Sequence, residues 1–144
     1  MTSDAGTRGG WAERTKACWE VTPLVEMHGG ARVQVGFDLS LFARIPDMPA
    51  SDERVRAIEA IWDRLVEIAE SLAPLLGASG RVEVTPFDLA ARLRPETRFA
   101  PEVMLQARLV HPSDHLAPPS EADRDRVRPI EEHLAGLGLR RKSW

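Results

Sequence analysis

Apolar and polar residues alternate along the chain from position 32 to position 45. The apolar set is Val33, Val35, Phe37, Leu39, Leu41, Ala43 and Ile45. Successive side chains of a β-strand point to opposite faces of the sheet, so this pattern predicts a strand with one face in the core and one in solvent. Phe42 is the only large apolar residue in the solvent-facing phase.

A second alternating segment, residues 18–28, precedes this strand. Pro23 lies within it, and because proline lacks the N–H that a central strand must donate, we expect an edge strand. Two glycines at positions 29 and 30 connect the segments.

The length of the connecting loop decides which residues of the two strands face each other. A two-residue loop would place the apolar faces of the two strands on opposite sides of the sheet. A three-residue loop pairs Val25 with Val33 and Val21 with Phe37, which brings those faces together. We therefore predict the three-residue loop, in which a glycine supplies the left-handed backbone conformation.

An amphipathic helix is predicted to begin at Ser51, a good N-cap, and to end near Leu72, because Pro74 follows. Its apolar residues recur at spacings of three and four: Val55, Ile58, Ile61, Trp62, Leu65, Ile68, Leu72 and Leu75. This arc covers roughly half the circumference, wider than the stripe of about 100° that one sheet would cover. We expect another element or a partner to cover the surplus.

The string RVQVGFDL at 32–39 returns as RVEVTPFDL at 81–89, with Pro86 inserted. The insertion shifts the apolar phase and predicts a β-bulge at Thr85 and Pro86. Duplication of a hairpin unit and chance similarity both remain open. A fourth strand is predicted from Val103 to Leu109.

A last helix is predicted from Ser120, with Pro129 either kinking it or starting it afresh, and with its end at Gly136. The order strand, strand, helix, strand, strand, helix predicts an α+β fold, in which an antiparallel four-stranded sheet carries both helices on one face. We assign residues 1–10 to a disordered lead-in, 11–139 to a single domain and 140–144 to a basic tail.

Composition narrows the function without identifying it. A chain of 144 residues with net charge −3 has no electrostatic reason to bind nucleic acid. A single cysteine and the lack of a signal-peptide or membrane-spanning apolar run predict a cytoplasmic protein with no membrane partner. Seventeen of the nineteen basic residues are Arg and Tyr is absent, a bias that indicates a GC-rich, bacterial genome.

Metal binding receives little support from the sequence. His111, Asp114 and His115 lie close together, and His133 could approach from the last helix. A Pro-containing loop does not hold ligands in a fixed geometry, so we predict neither a metal nor another cofactor.

Polar residues on the solvent-facing side of the strands form the candidate binding site. Asp38 and Asp88 each follow Phe in the repeated string and would perturb one another's pKa if their strands were neighbours. Pairing with a cross-strand Arg is the alternative. Since Arg recognises carboxylates and phosphates, we predict an anionic-ligand site here. Its residues are Arg44, Arg92, Arg94, Arg108, Asp38 and Asp88.

Two classes of function follow. The first is a non-catalytic protein-interaction module that forms a homodimer, with Phe42, Phe99, Trp11 and Trp144 as candidate contact surface. The alternative is a small-molecule binding protein, or a small enzyme, with a pocket between sheet and helices. A polar cluster in a closed cavity would favour the second class.

Overall fold

The computed structural model describes residues 10–49, 51–85, 102–116 and 123–142. A short helix α1 spans residues 10–15. The further elements are β1 Cys18–His28, β2 Ala31–Arg44, α2 Asp52–Glu70, a 3₁₀ turn Ala73–Leu76, β3 Arg81–Val84, β4 Glu102–Val110, a 3₁₀ turn Ser113–His115, α3 Asp123–Gly136 and β5 Arg140–Arg141. The α+β class is confirmed.

The strands form one mixed sheet in the order β3-β4-β2-β1-β5. All neighbours are antiparallel except β5, which is parallel to β1. The prediction of four antiparallel strands was therefore wrong in detail. Strand β5 is joined to β1 by backbone bonds from Arg140 N to Ala17 O at 3.1 Å and from Lys142 N to Trp19 O at 2.8 Å. Two residues are too few to leave an alternating pattern.

The loop between β1 and β2 has two residues. His28 pairs with Ala31, and Val25 pairs with Gln34. The predicted pairing of Val25 with Val33 was therefore wrong. The glycines at 29 and 30 have φ of 58° and 84°, and positive φ at both positions is what a type I′ two-residue hairpin turn requires.

A β-bulge brings the apolar faces back together. Val35 is an extra residue of β2 at the register shift, and beyond it Val21 lies opposite Leu39. Gln34, at the shift, is completely buried, and its Nε2 donates a hydrogen bond to the carbonyl of Gly36 at 3.1 Å. The sequence pattern requires the apolar faces of β1 and β2 to lie on the same side of the sheet. A two-residue loop combined with the bulge at Val35 meets this requirement beyond the bulge.

The core lies between one face of the sheet and the helices. Helix α2 contacts β2, β3 and β4, and α3 contacts β1 and β5. Ser51 caps α2 as predicted, since its hydroxyl accepts a hydrogen bond from the N–H of Arg54 at 3.2 Å. The residues that α2 buries are Ile58, Ile61, Leu65, Ile68 and Ala69.

The surplus apolar surface of α2 is largely covered within the chain. Trp62 and Val66 are half-buried and pack against the core. Trp11 of α1 lies beside the helix, with its ring centroid 5.7 Å from the Arg64 guanidinium. On another side, the Ser71 hydroxyl at the end of α2 lies 2.9 Å from Nε2 of His133 in α3.

Helix α2 ends at Glu70, close to the predicted end at Leu72, and Pro74 lies in the following 3₁₀ turn. Helix α3 begins at Asp123 and continues through Pro129, so Pro129 does not start a new helix. Predictions for Pro86, Phe99, Ser120 and Trp144 concern residues outside the described ranges. Within those ranges no helix combines the length and apolar character needed to span a membrane.

Candidate functional site

The sheet face turned away from the helices carries the candidate site. Its side chains alternate with the buried ones along each strand, which follows from the two-residue period of a strand. We call it the outer face, and its central members are Cys18, Glu20, Thr22, Asp38, Ser40, Phe42, Arg44, Glu102, Met104, Gln106 and Arg108.

Phe42 is not exposed contact surface, contrary to the prediction. Only 8% of it is accessible, although it lies on the outer face. Its neighbours in the adjacent strands are Cys18 and Met104, and Nζ of Lys142 lies 3.5 Å from its ring centroid. The chain therefore covers its own apolar spot with a cation–π contact from the segment after β5.

A shallow polar concavity of about 380 Å³ surrounds Asp38 and Arg108. These residues face each other across β2 and β4, with Asp38 Oδ1 3.9 Å from Arg108 Nε. Both side chains are more than half exposed, so the pair contributes little stability. Asp38 therefore pairs with a cross-strand Arg, which was the alternative to an interaction between Asp38 and Asp88.

The six predicted ligand residues do not meet in one place. Arg44 lies six positions from Asp38 along β2, roughly 20 Å at the rise of a strand, and belongs to a different concavity. Arg92, Arg94 and Asp88 lie outside the described residues. The described part of β3 is separated from β2 by β4, so Arg81–Val84 and the strand of Asp38 are not neighbours.

The second concavity, which we call the basic groove, has a volume of about 850 Å³ and lies where β1 begins and β2 and β5 end. Two carboxylates, Glu13 and Glu102, and the Cys18 thiol also line it. The cations that line it are Lys16, Arg44, Arg140, Arg141 and Lys142. Five positive side chains against two negative ones make it electropositive on a chain with net charge −3.

Lys16 reaches the groove from an unusual backbone position. It is the one non-glycine residue with positive φ, 51°, in the part of the chain that the structure describes. It ends α1 as a left-handed cap, in which Ala17 N bonds to Ala12 O at 2.9 Å. Glycine is the usual residue at this position, and a side chain there costs about 1–2 kcal/mol.

Strand β5 is anchored from the helix side. Arg141 Nε lies 3.4 Å from Oε2 of Glu131 in α3, and the same oxygen accepts a hydrogen bond from the Trp19 indole at 3.0 Å. These contacts join β5, β1 and α3. They hold Arg140, the neighbour of Arg141, where it lines the groove.

Three of the groove cations are not neutralised by the rest of the described chain. Arg141 pairs with Glu131, and Lys142 has the contact with Phe42. Lys16, Arg44 and Arg140, in contrast, have no carboxylate of the described residues within ion-pair distance. Three cationic residues on different elements, which make no ion pair with a described carboxylate, therefore line one groove.

Cys18 is a poor nucleophile in this setting. Burial raises the pKa of its thiol above the ordinary value of 9.0, the Glu102 carboxylate raises it further, and Lys142 acts in the opposite direction. The thiol is protonated at neutral pH, and thiolates, not thiols, attack. Its outward position agrees with the sequence pattern.

The residues considered for metal binding have other neighbours. The His111 ring packs edge-on against Phe37 with centroids 5.2 Å apart, and His133 contacts Ser71. The described residues contain no group of three His, Cys, Asp or Glu side chains that could hold a metal ion.

Sequence reasoning named Arg44 but missed the groove. Its other cations come from the end of α1 and from residues 140–142, which the sequence analysis assigned to a tail. The run Arg-Arg-Lys was the available signal, but its pairing with β1 was not visible in the pattern.

Comparison with protein-family models, with curated protein sequences and with solved structures finds no match.

Proposed function

We propose that this protein is a non-catalytic protein-interaction module that recognises its partner through the basic groove. The observation that carries the proposal is the convergence of Lys16, Arg44 and Arg140 on one open groove, with no carboxylate of the described residues within ion-pair distance of them. Desolvating such cations is unfavourable without an anionic counterpart. A partner that supplies carboxylates is therefore favoured over a purely apolar one.

A catalytic role has less support. The neutral Cys18 thiol lacks the activation that a nucleophile needs, and Asp38 is a half-exposed carboxylate paired with Arg108. The pKa of Cys18 is raised, which is the opposite of what an activated nucleophile requires.

The alternative of a small-molecule pocket between sheet and helices also has less support. Gln34 is the one polar side chain buried among the described residues, and the remaining buried side chains are apolar. The two concavities described above lie on the outer face or at its end. Neither concavity is therefore a pocket between the sheet and the helices.

We also propose that the protein forms a homodimer, through the β1–β2 hairpin and not through the apolar surface of α2. The surplus apolar surface of α2 is mostly covered within the chain, whereas Met27, near the tip of the β1–β2 hairpin, is 64% exposed. Strand β4 pairs with β2 only from Gly36 to Arg44, so the hairpin projects beyond β4. A two-stranded arm is marginally stable by itself, and a symmetric contact between two copies would stabilise it.

Affinity capture tests the proposed recognition. An extract of the source organism is passed over the wild-type protein, over an Arg44→Glu/Arg140→Glu variant and over an Arg108→Glu control that changes a cation of the polar concavity. We expect a protein that wild type and control retain and that the groove variant loses. Equal recovery on all three would refute recognition by the groove.

Sedimentation equilibrium tests the dimer. We expect a mass near twice 16.0 kDa at micromolar concentration, and a Met27→Glu variant at the monomer mass. A mass of 16.0 kDa at every loading of the wild type would end the dimer proposal.

A further inference from the structure

We infer that the occupant of the basic groove is an extended acidic peptide segment of the partner. This inference rests on the proposed function and specifies its partner. It follows from the arrangement of charge, the shape of the groove and the backbone at Lys16.

The charge arrangement favours discrete carboxylates over a continuous polyanion. Arg44 closes β2, Arg140 lies in β5 and Lys16 ends α1, so the cations come from separate elements. Glu13 and Glu102 line the same groove and would repel a chain with phosphate at every step. Arg guanidinium groups match carboxylates with two parallel hydrogen bonds.

The size of the groove favours a segment with several charges over a single ion. A volume of about 850 Å³ open to solvent is far more than one phosphate ion fills. A peptide in which acidic residues alternate with small ones would place its carboxylates beside cations that come from separate elements.

The backbone at Lys16 provides an independent argument. Its φ of 51° is a conformation in which glycine is stable and lysine is strained. Strained non-glycine residues cluster at binding sites, where the side chain compensates for the cost of the backbone. Lys16 lines the groove, so a role in binding accounts for a residue that stability alone disfavours.

The test measures fluorescence anisotropy of a fluorescein-labelled peptide in which glutamate alternates with alanine. The matched control peptide has glutamine in place of glutamate. We expect saturable binding of the acidic peptide at 50 mM NaCl, weaker binding at 300 mM NaCl, and none of the glutamine peptide. The Arg44→Gln/Arg140→Gln variant should lose roughly tenfold or more in affinity, the combined effect of two exposed ion pairs.

Two further variants separate binding from folding. Lys16→Gly should weaken the peptide severalfold while its thermal midpoint stays equal to or above that of the wild type. Arg108→Gln, outside the groove, should bind as the wild type does. Loss of affinity in Arg108→Gln equal to that in the groove variant would overturn the inference.

Competition distinguishes the other occupants. The competitors are inorganic phosphate at millimolar concentration and a single-stranded oligonucleotide. If either displaces the labelled peptide at a lower concentration than unlabelled peptide does, the peptide assignment is overturned. Failure of the acidic peptide to bind would also overturn it. The proposed function would still stand in that case if the extract yields a partner that depends on Arg44 and Arg140, so the two failures are distinguishable.

Discussion

Truncation of Leu65 to alanine tests how helix α2 is held on the sheet. Leu65 lies in the middle of α2 and has no accessible surface. The substitution removes three carbon atoms, and at about 0.8 kcal/mol for each buried methylene it loses about 2.4 kcal/mol of transfer free energy. Incomplete collapse of the cavity adds to this, so we expect a loss of about 3 kcal/mol, within the usual range of roughly 2–5 kcal/mol.

Leu75→Ala is the matched control, because it removes the same atoms from a residue that is 42% exposed. The exposed part of Leu75 is in water in both the folded and the unfolded state, and a surface site leaves little cavity. We expect a loss of about 1 kcal/mol for this variant.

Urea denaturation followed by circular dichroism measures both variants. With an m-value of about 2 kcal/mol per molar, Leu65→Ala should lower the midpoint by about 1.5 M and Leu75→Ala by about 0.5 M. Equal shifts for the two variants, or an unchanged midpoint for Leu65→Ala, would show that α2 does not pack on the sheet through this residue.

Three other predictions follow from local contacts. A Cβ at Gly36 would collide with the carbonyl oxygen of Leu109, so Gly36→Ala should cost about 1–3 kcal/mol, and an unchanged thermal midpoint would contradict the close approach of β2 and β4. The Cys18 thiol should titrate above pH 9.0 when followed by absorbance at 240 nm, and at lower pH in the Glu102→Gln variant. Because the thiol of the unfolded chain ionises at lower pH than that of the folded chain, the free energy of unfolding should fall as pH rises from the unfolded to the folded pKa. A thiol that titrates at or below pH 9.0 would refute the assignment. Ser51→Ala should destabilise the protein by about 1 kcal/mol in chemical denaturation because it removes the N-cap of α2, whereas no change would mean that the cap is frayed in solution.

Much of the fold is predictable because secondary structure depends on local periodicity. Strand β1 has the predicted bounds, β2 and β4 differ from prediction by one residue at each end, and α2 begins after Ser51 as expected. Each of these elements buries one face, and burial of that face imposes a period of two or of 3.6 residues on its sequence.

The site is predictable only in part. Alternation alone places Arg44 and Cys18 on the outer face of the sheet. It does not show that residues 140–142 return to β1, because two backbone hydrogen bonds specify that contact and any side chains can accompany them. Neither does it show that Lys142 covers Phe42, a contact between residues 100 positions apart in the sequence.

The β1–β2 hairpin shows what the sequence by itself determined and what only the tertiary structure decided. Apolar alternation requires that the buried faces of the two strands coincide, and beyond the bulge they do, with Val21 opposite Leu39 and Trp19 opposite Leu41. A three-residue loop meets this requirement, and so does a two-residue loop with Val35 in a bulge, so the pattern does not choose between them. The choice depends on contacts with other parts of the sheet, such as the bond from His111 N of the segment after β4 to the Val35 carbonyl at 2.9 Å. Periodicity reports which face of a strand is buried, whereas register and the meeting of distant segments depend on packing that no local pattern records.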